Sequence, residues 1–187
     1  GAWQRLKPEP EPAPAPVGVQ IERLPQQGYT LGLPYAPVTL YWLIDPQCPD
    51  CQQAQRLLMP ILISEYISSG QAKLTMLPLD LLGPGSAKVS RAIEAAAAKN
   101  RAFQFIDAYL SDPGSGQQVS AAKIEAAAKK AGLDPTQVLT RAAERQPSAQ
   151  MLFASQLAAS FSVQATPAFL TEGKQGGLVP VLELSPE

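Results

Sequence analysis

The chain has 187 residues, of which 45% are hydrophobic and 17% charged, and its formal net charge is -1. This length suits one domain with a sizeable core, or one domain with an insertion, and the small net charge gives no reason to expect a nucleic acid or an anionic membrane surface as a partner. The chain contains no histidine, which excludes Ser-His-Asp and Cys-His catalytic pairs and metal sites built on imidazole.

The beginning of the chain is rich in proline. Residues 7–16 alternate proline with small or acidic residues, a pattern that favours extended polyproline II and prevents a packed core. We predict that residues 1–16 form a semi-rigid linker or tether; a frayed terminus without a role is the alternative. The chain begins at Gly1 without a methionine, which suits either an expression scar or a removed upstream segment, such as an N-terminal anchor.

Two segments follow that read as strands. Residues 18–24 alternate apolar and polar side chains and predict a short strand. Residues 38–44 are almost continuously apolar and rich in β-branched and aromatic side chains, as expected of a central strand buried on both faces of a sheet.

The longest apolar runs are far shorter than the roughly 20 residues that a membrane-spanning helix needs.

A helix and a further strand come next. From residue 49 onwards apolar side chains recur at helical spacing until Gly70 ends the pattern, and Pro60 should kink this helix. Residues 73–79 predict a second strand. Strand, helix and strand together predict a βαβ unit with parallel strands.

The middle of the chain is rich in alanine and predicts helices over residues 86–110, 120–132 and 134–160. Ser120 should cap one of these helices, and Asp134, followed by proline, should start another. Alanine-rich repeats of this kind indicate plain helices rather than a binding motif.

The end of the chain predicts a hairpin. Apolar runs at residues 168–171 and 178–184 flank a glycine-containing turn. The order of elements predicts an α/β fold: a single domain over residues 17–187, with a helical insertion at about residues 86–160.

The only two cysteines, Cys48 and Cys51, lie at the junction between the predicted central strand and the predicted helix. Only a thiolate attacks a disulfide, and a free cysteine is roughly 3% ionised at pH 7. Cys48 would lie at the helix start, where unpaired backbone N–H groups and the helix dipole favour an anion. Cys51, one turn further, should be more covered and act as the resolving thiol. The alternative is a local disulfide that only ties down the helix start.

Residues 31–51 resemble the DsbA-like thioredoxin-fold oxidoreductases. A glycine, an Ala-Pro-Val-Thr strand entry and an aspartate precede a Cys-Pro-x-Cys motif in that family, as Gly32, residues 36–39 and Asp45 do here. The similarity continues through the helix end and next strand, and residues 158–169 resemble the cis-proline loop of the family. It spans roughly residues 28–170.

The resemblance implies a thioredoxin fold, a central mixed β-sheet flanked by helices, with an inserted all-helical subdomain. It also implies a cis peptide bond before Pro167, which should face Cys48, and a Thr166 that offers backbone groups to a substrate peptide. The implied activity is extracytoplasmic thiol-disulfide exchange with protein substrates, without a cofactor beyond the Cys48–Cys51 disulfide. A membrane redox partner would reset the cysteines. The segment before residue 28 looks too short for the dimerisation domain of the isomerases, so we expect a monomeric oxidase or reductase rather than an isomerase, with a dithiol oxidase as the favoured hypothesis.

Four residues beside the cysteines are expected to modulate them. Pro49 and Asp50 stand between the cysteines, where the best-known DsbA proteins have a histidine; an ionised Asp50 would disfavour a thiolate at Cys48, unless it points to solvent. Trp42 occupies the neighbourhood in which many thioredoxin-fold proteins carry a buried acid, and should be part of the core. Asp45 either relays protons or caps the turn before the helix.

Other functions stay open at this point. The protein could be an envelope disulfide reductase rather than an oxidase. Two close thiolates also suit Cu(I), although copper carriers on this fold usually add a histidine. A redox-inert peptide-binding module that has kept the fold is the third alternative.

Overall fold

The computed structural model of the chain describes residues 8–114, 118–172 and 178–180. Its strands are β1 (Gln26–Gln27), β2 (Thr30–Leu31), β3 (Val38–Ile44), β4 (Ala72–Pro78), β5 (Ala168–Glu172) and β6 (Leu178–Pro180). Within the described residues these six strands form one mixed sheet in the order β1-β2-β4-β3-β5-β6. The predicted parallel pairing of β3 with β4 is confirmed, and the other neighbouring pairs are antiparallel.

Helices cover this sheet. They are α1 (Val17–Glu22), α2 (Pro49–Leu57), α3 (Met59–Leu62), a π-helical turn (Ile63–Ile67), α4 (Pro84–Ala97), α5 (Ala102–Ser111), α6 (Ala121–Lys130), α7 (Pro135–Ala143) and α8 (Ala149–Ser160). The segment from α2 to the π-helical turn connects β3 to β4 and completes the βαβ unit. The helices α4 to α8 lie between β4 and β5 and form the predicted helical insertion.

The central strand β3 divides the core into two parts. Trp42 and Ile44 belong to a large cluster on one face of the sheet, together with side chains of α1 to α7. Leu43 belongs to a smaller cluster on the other face, which α8 covers. Successive side chains of a strand point to opposite faces, so a continuously apolar β3 stabilises both parts of the core, as predicted.

The prediction of a strand at residues 18–24 is wrong, because this segment forms α1. Val17 and Ile21, four residues apart, are buried on one helical face, whereas Val19 is 43% exposed. A strand would have placed all three side chains on the same face. The segment has apolar residues at a spacing that fits both periods, and packing selected the helical one.

The helix after Cys48 is interrupted near Pro60, as predicted. α2 ends at Leu57, and Pro60 lies in the first turn of α3, where a missing N–H costs little. Gly70 then adopts a φ of +78°, in the left-handed region that favours glycine. This residue ends the helical segment and allows β4 to begin.

The caps and the terminal hairpin agree with the sequence. The side chain of Ser120 accepts from the backbone N–H of Lys123, and that of Asp134 accepts from Thr136. β5 and β6 pair antiparallel, whereas the predicted turn between them and the predicted continuation of the last strand to residue 184 lie outside the described residues.

Candidate functional site

Cys48 lies at the N-cap position of α2. Its backbone is extended, with φ -76° and ψ 123°, while its carbonyl accepts from the N–H groups of Cys51 and Gln52 at 3.1 and 3.2 Å. Pro49 takes the first helical position, where it needs no hydrogen-bond acceptor. Both cysteines are free thiols, and Cys48 is half-buried. Pro49 and Asp50 are exposed.

The cis-proline loop lies against Cys48. The peptide bond between Thr166 and Pro167 is cis, which confirms the expectation. Leu43 pairs with Ala168 at the start of β5, so the loop before β5 meets the chain that leaves the end of β3. As a result the Cys48 thiol donates to the Thr166 carbonyl at 3.3 Å, across 118 positions of sequence.

Cys51 differs from Cys48 in its surroundings. It is fully buried within the larger core cluster, and burial raises its pKa to about 12. Hydrogen bonds from the Thr166 side chain and the Asp45 backbone act in the opposite direction, while the neighbouring Cys48 raises the pKa further. Thr166 therefore contacts both sulfur atoms, one through its carbonyl and the other through its side chain.

The Asp45 carboxylate is fully buried at the end of β3. It accepts hydrogen bonds from the backbone N–H of Gln47 at 3.0 Å, the backbone N–H of Leu82 at 2.9 Å and the Ser86 hydroxyl at 2.5 Å. The contact with Gln47 is the expected cap of the turn before α2. The contacts with Leu82 and Ser86 were not predicted, because no local pattern marks residues 37 and 41 positions away as partners.

Trp42 is a core residue, as expected. Its side chain is fully buried, and its ring lies 6.3 Å from that of Phe103 at an interplanar angle of 31°. Its indole N–H has no hydrogen-bond partner within the described part of the chain. Trp42 thus links β3 to α5 within the larger core cluster, to which Cys51 also belongs.

In the described ranges, no group of three or more histidine, cysteine, aspartate or glutamate side chains is placed to hold a metal ion. No helix in the same ranges is long and apolar enough to cross a membrane.

Comparisons with known proteins agree with this geometry. A protein-family model described as Thioredoxin matches residues 25–178. No curated protein matches the sequence.

Solved structures of other proteins share the fold, and three of them are compared below. BdbD from Bacillus subtilis, in its oxidised form, is 20% identical, with a TM-score of 0.70 over 89% of this chain and 86% of that one. DsbA2 from Pseudomonas aeruginosa is 22% identical, with a TM-score of 0.66 over 88% and 90%. A thioredoxin-like oxidoreductase from Silicibacter pomeroyi is 23% identical, with a TM-score of 0.66 over 86% and 87%. The predicted fold class is thereby confirmed.

Proposed function

Because the chain belongs to the thioredoxin family, we propose that it is a thiol-disulfide oxidoreductase of DsbA type that exchanges disulfides with protein substrates through Cys48 and Cys51. The observation that carries the proposal is the asymmetry of the pair. Cys48 is partly accessible at a helix N-terminus and faces the Thr166–Pro167 loop, whereas Cys51 is buried behind it.

In the oxidising direction a substrate thiolate attacks the sulfur of Cys48 in the Cys48–Cys51 disulfide. That S–S bond breaks, a mixed disulfide forms between the substrate and Cys48, and Cys51 leaves and takes up a proton. A second substrate thiolate attacks the substrate sulfur of the mixed disulfide, forms the substrate disulfide and releases Cys48. Two electrons and two protons pass to the cysteine pair, so no cofactor is needed. In the reducing direction Cys48 attacks and Cys51 resolves.

The raised pKa of Cys51 supports this division of roles. A sulfur with a pKa of about 12 is protonated near neutral pH, and only a thiolate reacts readily. The buried position also keeps large substrates away from Cys51. Cys48 is therefore the sulfur that meets the substrate.

A protein substrate is favoured by the surface beside the cysteines. Leu81 and Leu82 are 46% and 54% exposed, and the backbone of Leu82 is bonded to Asp45, three residues before Cys48. Exposed apolar side chains on a loop that is hydrogen-bonded to the segment before Cys48 suit an unfolded, thiol-containing polypeptide.

We infer an oxidase rather than an isomerase, acting as a monomer outside the cytoplasm. Reoxidation of the cysteines would require a membrane redox partner. The described part of the proline-rich segment, residues 8–16, has no helix or strand and is mostly exposed. This suits a tether between the domain of residues 17–187 and a membrane anchor. The resemblance of residues 28–170 to the DsbA-like family supports the location.

Single replacements of the two cysteines test the proposal. Cys51→Ser should accumulate mixed disulfides with a disulfide-containing protein. Its Cys48 thiolate attacks the substrate disulfide, one substrate sulfur leaves as a thiol, and no second cysteine of this chain resolves the new bond. Cys48→Ser should trap almost none. Non-reducing electrophoresis with mass spectrometry identifies the linked sulfur. Trapping through Cys51 alone, or exchange that survives Cys48→Ser, would contradict the proposed roles.

The redox direction is tested by equilibrating the cysteine pair with a glutathione buffer. Thiol alkylation or the fluorescence emission of Trp42 measures the fraction that is oxidised. Potentials of such pairs run from about -270 mV for reductants to about -120 mV for strong oxidants. We expect a value in the upper half of that range. A value near the lower end would identify a reductase.

A further inference from the structure

The buried Asp45 carboxylate joins three segments that are distant in sequence. Its own segment leaves β3, Leu82 belongs to the loop after β4, and Ser86 lies in the first turn of α4. Asp45 and Ser86 are both fully buried. Charged groups in such a position are costly unless hydrogen bonds compensate them, and here three donors do so.

The Gln47 side chain closes the network. Its Nε2 donates to the Ser86 hydroxyl at 2.8 Å and to the Leu82 carbonyl at 3.3 Å. The Ser86 hydroxyl therefore accepts a hydrogen bond from Gln47 and donates one to Asp45. The network fixes the segment 45–47 against the helical insertion.

The backbone of Asp45 reaches both cysteines. Its carbonyl accepts from the N–H of Cys48 at 3.0 Å, and its backbone also forms a hydrogen bond with the Cys51 sulfur. A shift of Asp45 would therefore move the backbone of Cys48 and change the hydrogen bond at the Cys51 sulfur. Ser86 itself is not among the residues that contact the cysteines through a hydrogen bond in the described chain.

We propose that Ser86, supplied by the helical insertion, is a positioning residue that sets the reactivity of the Cys48–Cys51 pair through Asp45. The inference rests on the proposed thiol-disulfide exchange and deepens it, because it makes the insertion part of the catalytic apparatus.

The direction of the effect follows from the backbone contacts of Asp45. The Ser86 hydroxyl is one of the three donors that hold the Asp45 side chain in place. Without this hydroxyl the segment is held less firmly. This weakens the Asp45 backbone bond that lowers the Cys51 pKa and the bond that keeps Cys48 at the helix start, where N–H groups favour a thiolate. The dithiol form, whose reactivity depends on thiolate, becomes both less reactive and less favoured relative to the disulfide.

The test compares Ser86→Ala with Ser90→Ala. Ser90 lies one turn further along α4, is equally buried, and its hydroxyl has no hydrogen-bond partner in the described residues. Ser86→Ala should slow the alkylation of Cys48 by iodoacetamide at pH 7 by about threefold, and shift the glutathione equilibrium towards the protein disulfide by a similar factor. Ser90→Ala should leave both quantities within about 1.5-fold of the wild type.

The dependence of the alkylation rate on pH separates positioning from mere folding. A purely structural Ser86 would change the melting temperature but leave the pH profile and the glutathione equilibrium of the folded protein unchanged, which would overturn the proposal. Equal behaviour of the two serine variants would do the same.

Gln47→Ala provides a second variant in case Ser86→Ala does not fold, since Gln47 is only half-buried. It removes the donor to Ser86 and should shift the alkylation rate and the equilibrium in the same direction by a smaller factor. A folded Gln47→Ala protein with wild-type values would refute the network. Failure of the wild type itself to exchange with glutathione would refute the proposed function instead, and the alkylation rates would still decide the role of Ser86.

Discussion

The two cysteines have the same side chain and lie one helical turn apart, yet their environments differ. Cys48 is held at the helix start with its thiol on the Thr166 carbonyl. Cys51 points into the core, where desolvation disfavours the charged form of a thiol. Thr166 moderates the difference, because its side chain lowers the pKa of Cys51.

This difference predicts selective labelling. In the reduced protein, iodoacetamide should label Cys48 throughout the neutral range and leave Cys51 almost untouched until the pH approaches 12, where its thiolate forms. Peptide mapping by mass spectrometry after short pulses at several pH values measures both rates. The Cys48→Ser variant, in which Cys51 is alone, serves as the control. Labelling of both residues at similar rates at pH 7 would contradict the structure.

At the scale of the elements, the active-site helix and the caps of the insertion show how local sequence places the side chains. The extended N-cap residue and the proline after it determine where α2 begins. The helices of the insertion are short, so the stability of each one depends strongly on the hydrogen bonds of its first turn. The Asp134 side chain accepts from the N–H of Thr136 at 2.9 Å and starts α7.

Removal of this cap should destabilise the insertion without touching the cysteines. We expect Asp134→Ala to lower the free energy of unfolding by about 1 kcal/mol, because an N–H of the first turn loses its acceptor. Urea unfolding followed by circular dichroism provides the measurement. Gln137→Ala, at an exposed position of the same helix, should change stability by less than about 0.5 kcal/mol. Equal losses in both variants would argue against a cap.

For the molecule as a whole, groups buried in the neutral form link stability to pH. Burial raises the pKa values of Tyr29, Tyr109 and Cys51 to about 12. In the unfolded chain, tyrosine ionises near pH 10 and cysteine near pH 8.5. The unfolded state therefore loses these protons first. Stability should be complete below about pH 8.5 and fall as the pH rises towards 12.

Tyr109→Phe tests this linkage. The Tyr109 side chain is 1% exposed, and its hydroxyl has no partner among the described residues. Removal of an unpaired buried hydroxyl should raise the free energy of unfolding at pH 7 by about 1 kcal/mol. The loss of stability between pH 9 and pH 11 should also become smaller than in the wild type. Urea titrations at pH 7 and at pH 10.5 measure both effects, and a less stable variant at both values would refute the assignment.

Much of the site could be predicted from short segments. Residues 38–51 contain the buried strand, the cysteine pair and the proline at the helix start. Each of these features depends on residues that are close in the sequence, so a local pattern is enough to predict it. The cis bond before Pro167 was expected from the resemblance of one loop. Local sequence was insufficient for residues 18–24, whose spacing fits both a strand and a helix, since only packing could choose between them.

The chemistry available to this protein follows from its sequence alone: two thiols at a strand-to-helix junction, and no histidine to assist them. The difference between the two thiols and the contacts that hold them depend on the tertiary structure. The core buries Cys51, the loop at Thr166 meets Cys48, and Ser86 reaches Asp45 across 41 positions. Burial and hydrogen bonding between distant segments depend on how the sheet and the insertion pack, and no local pattern encodes that.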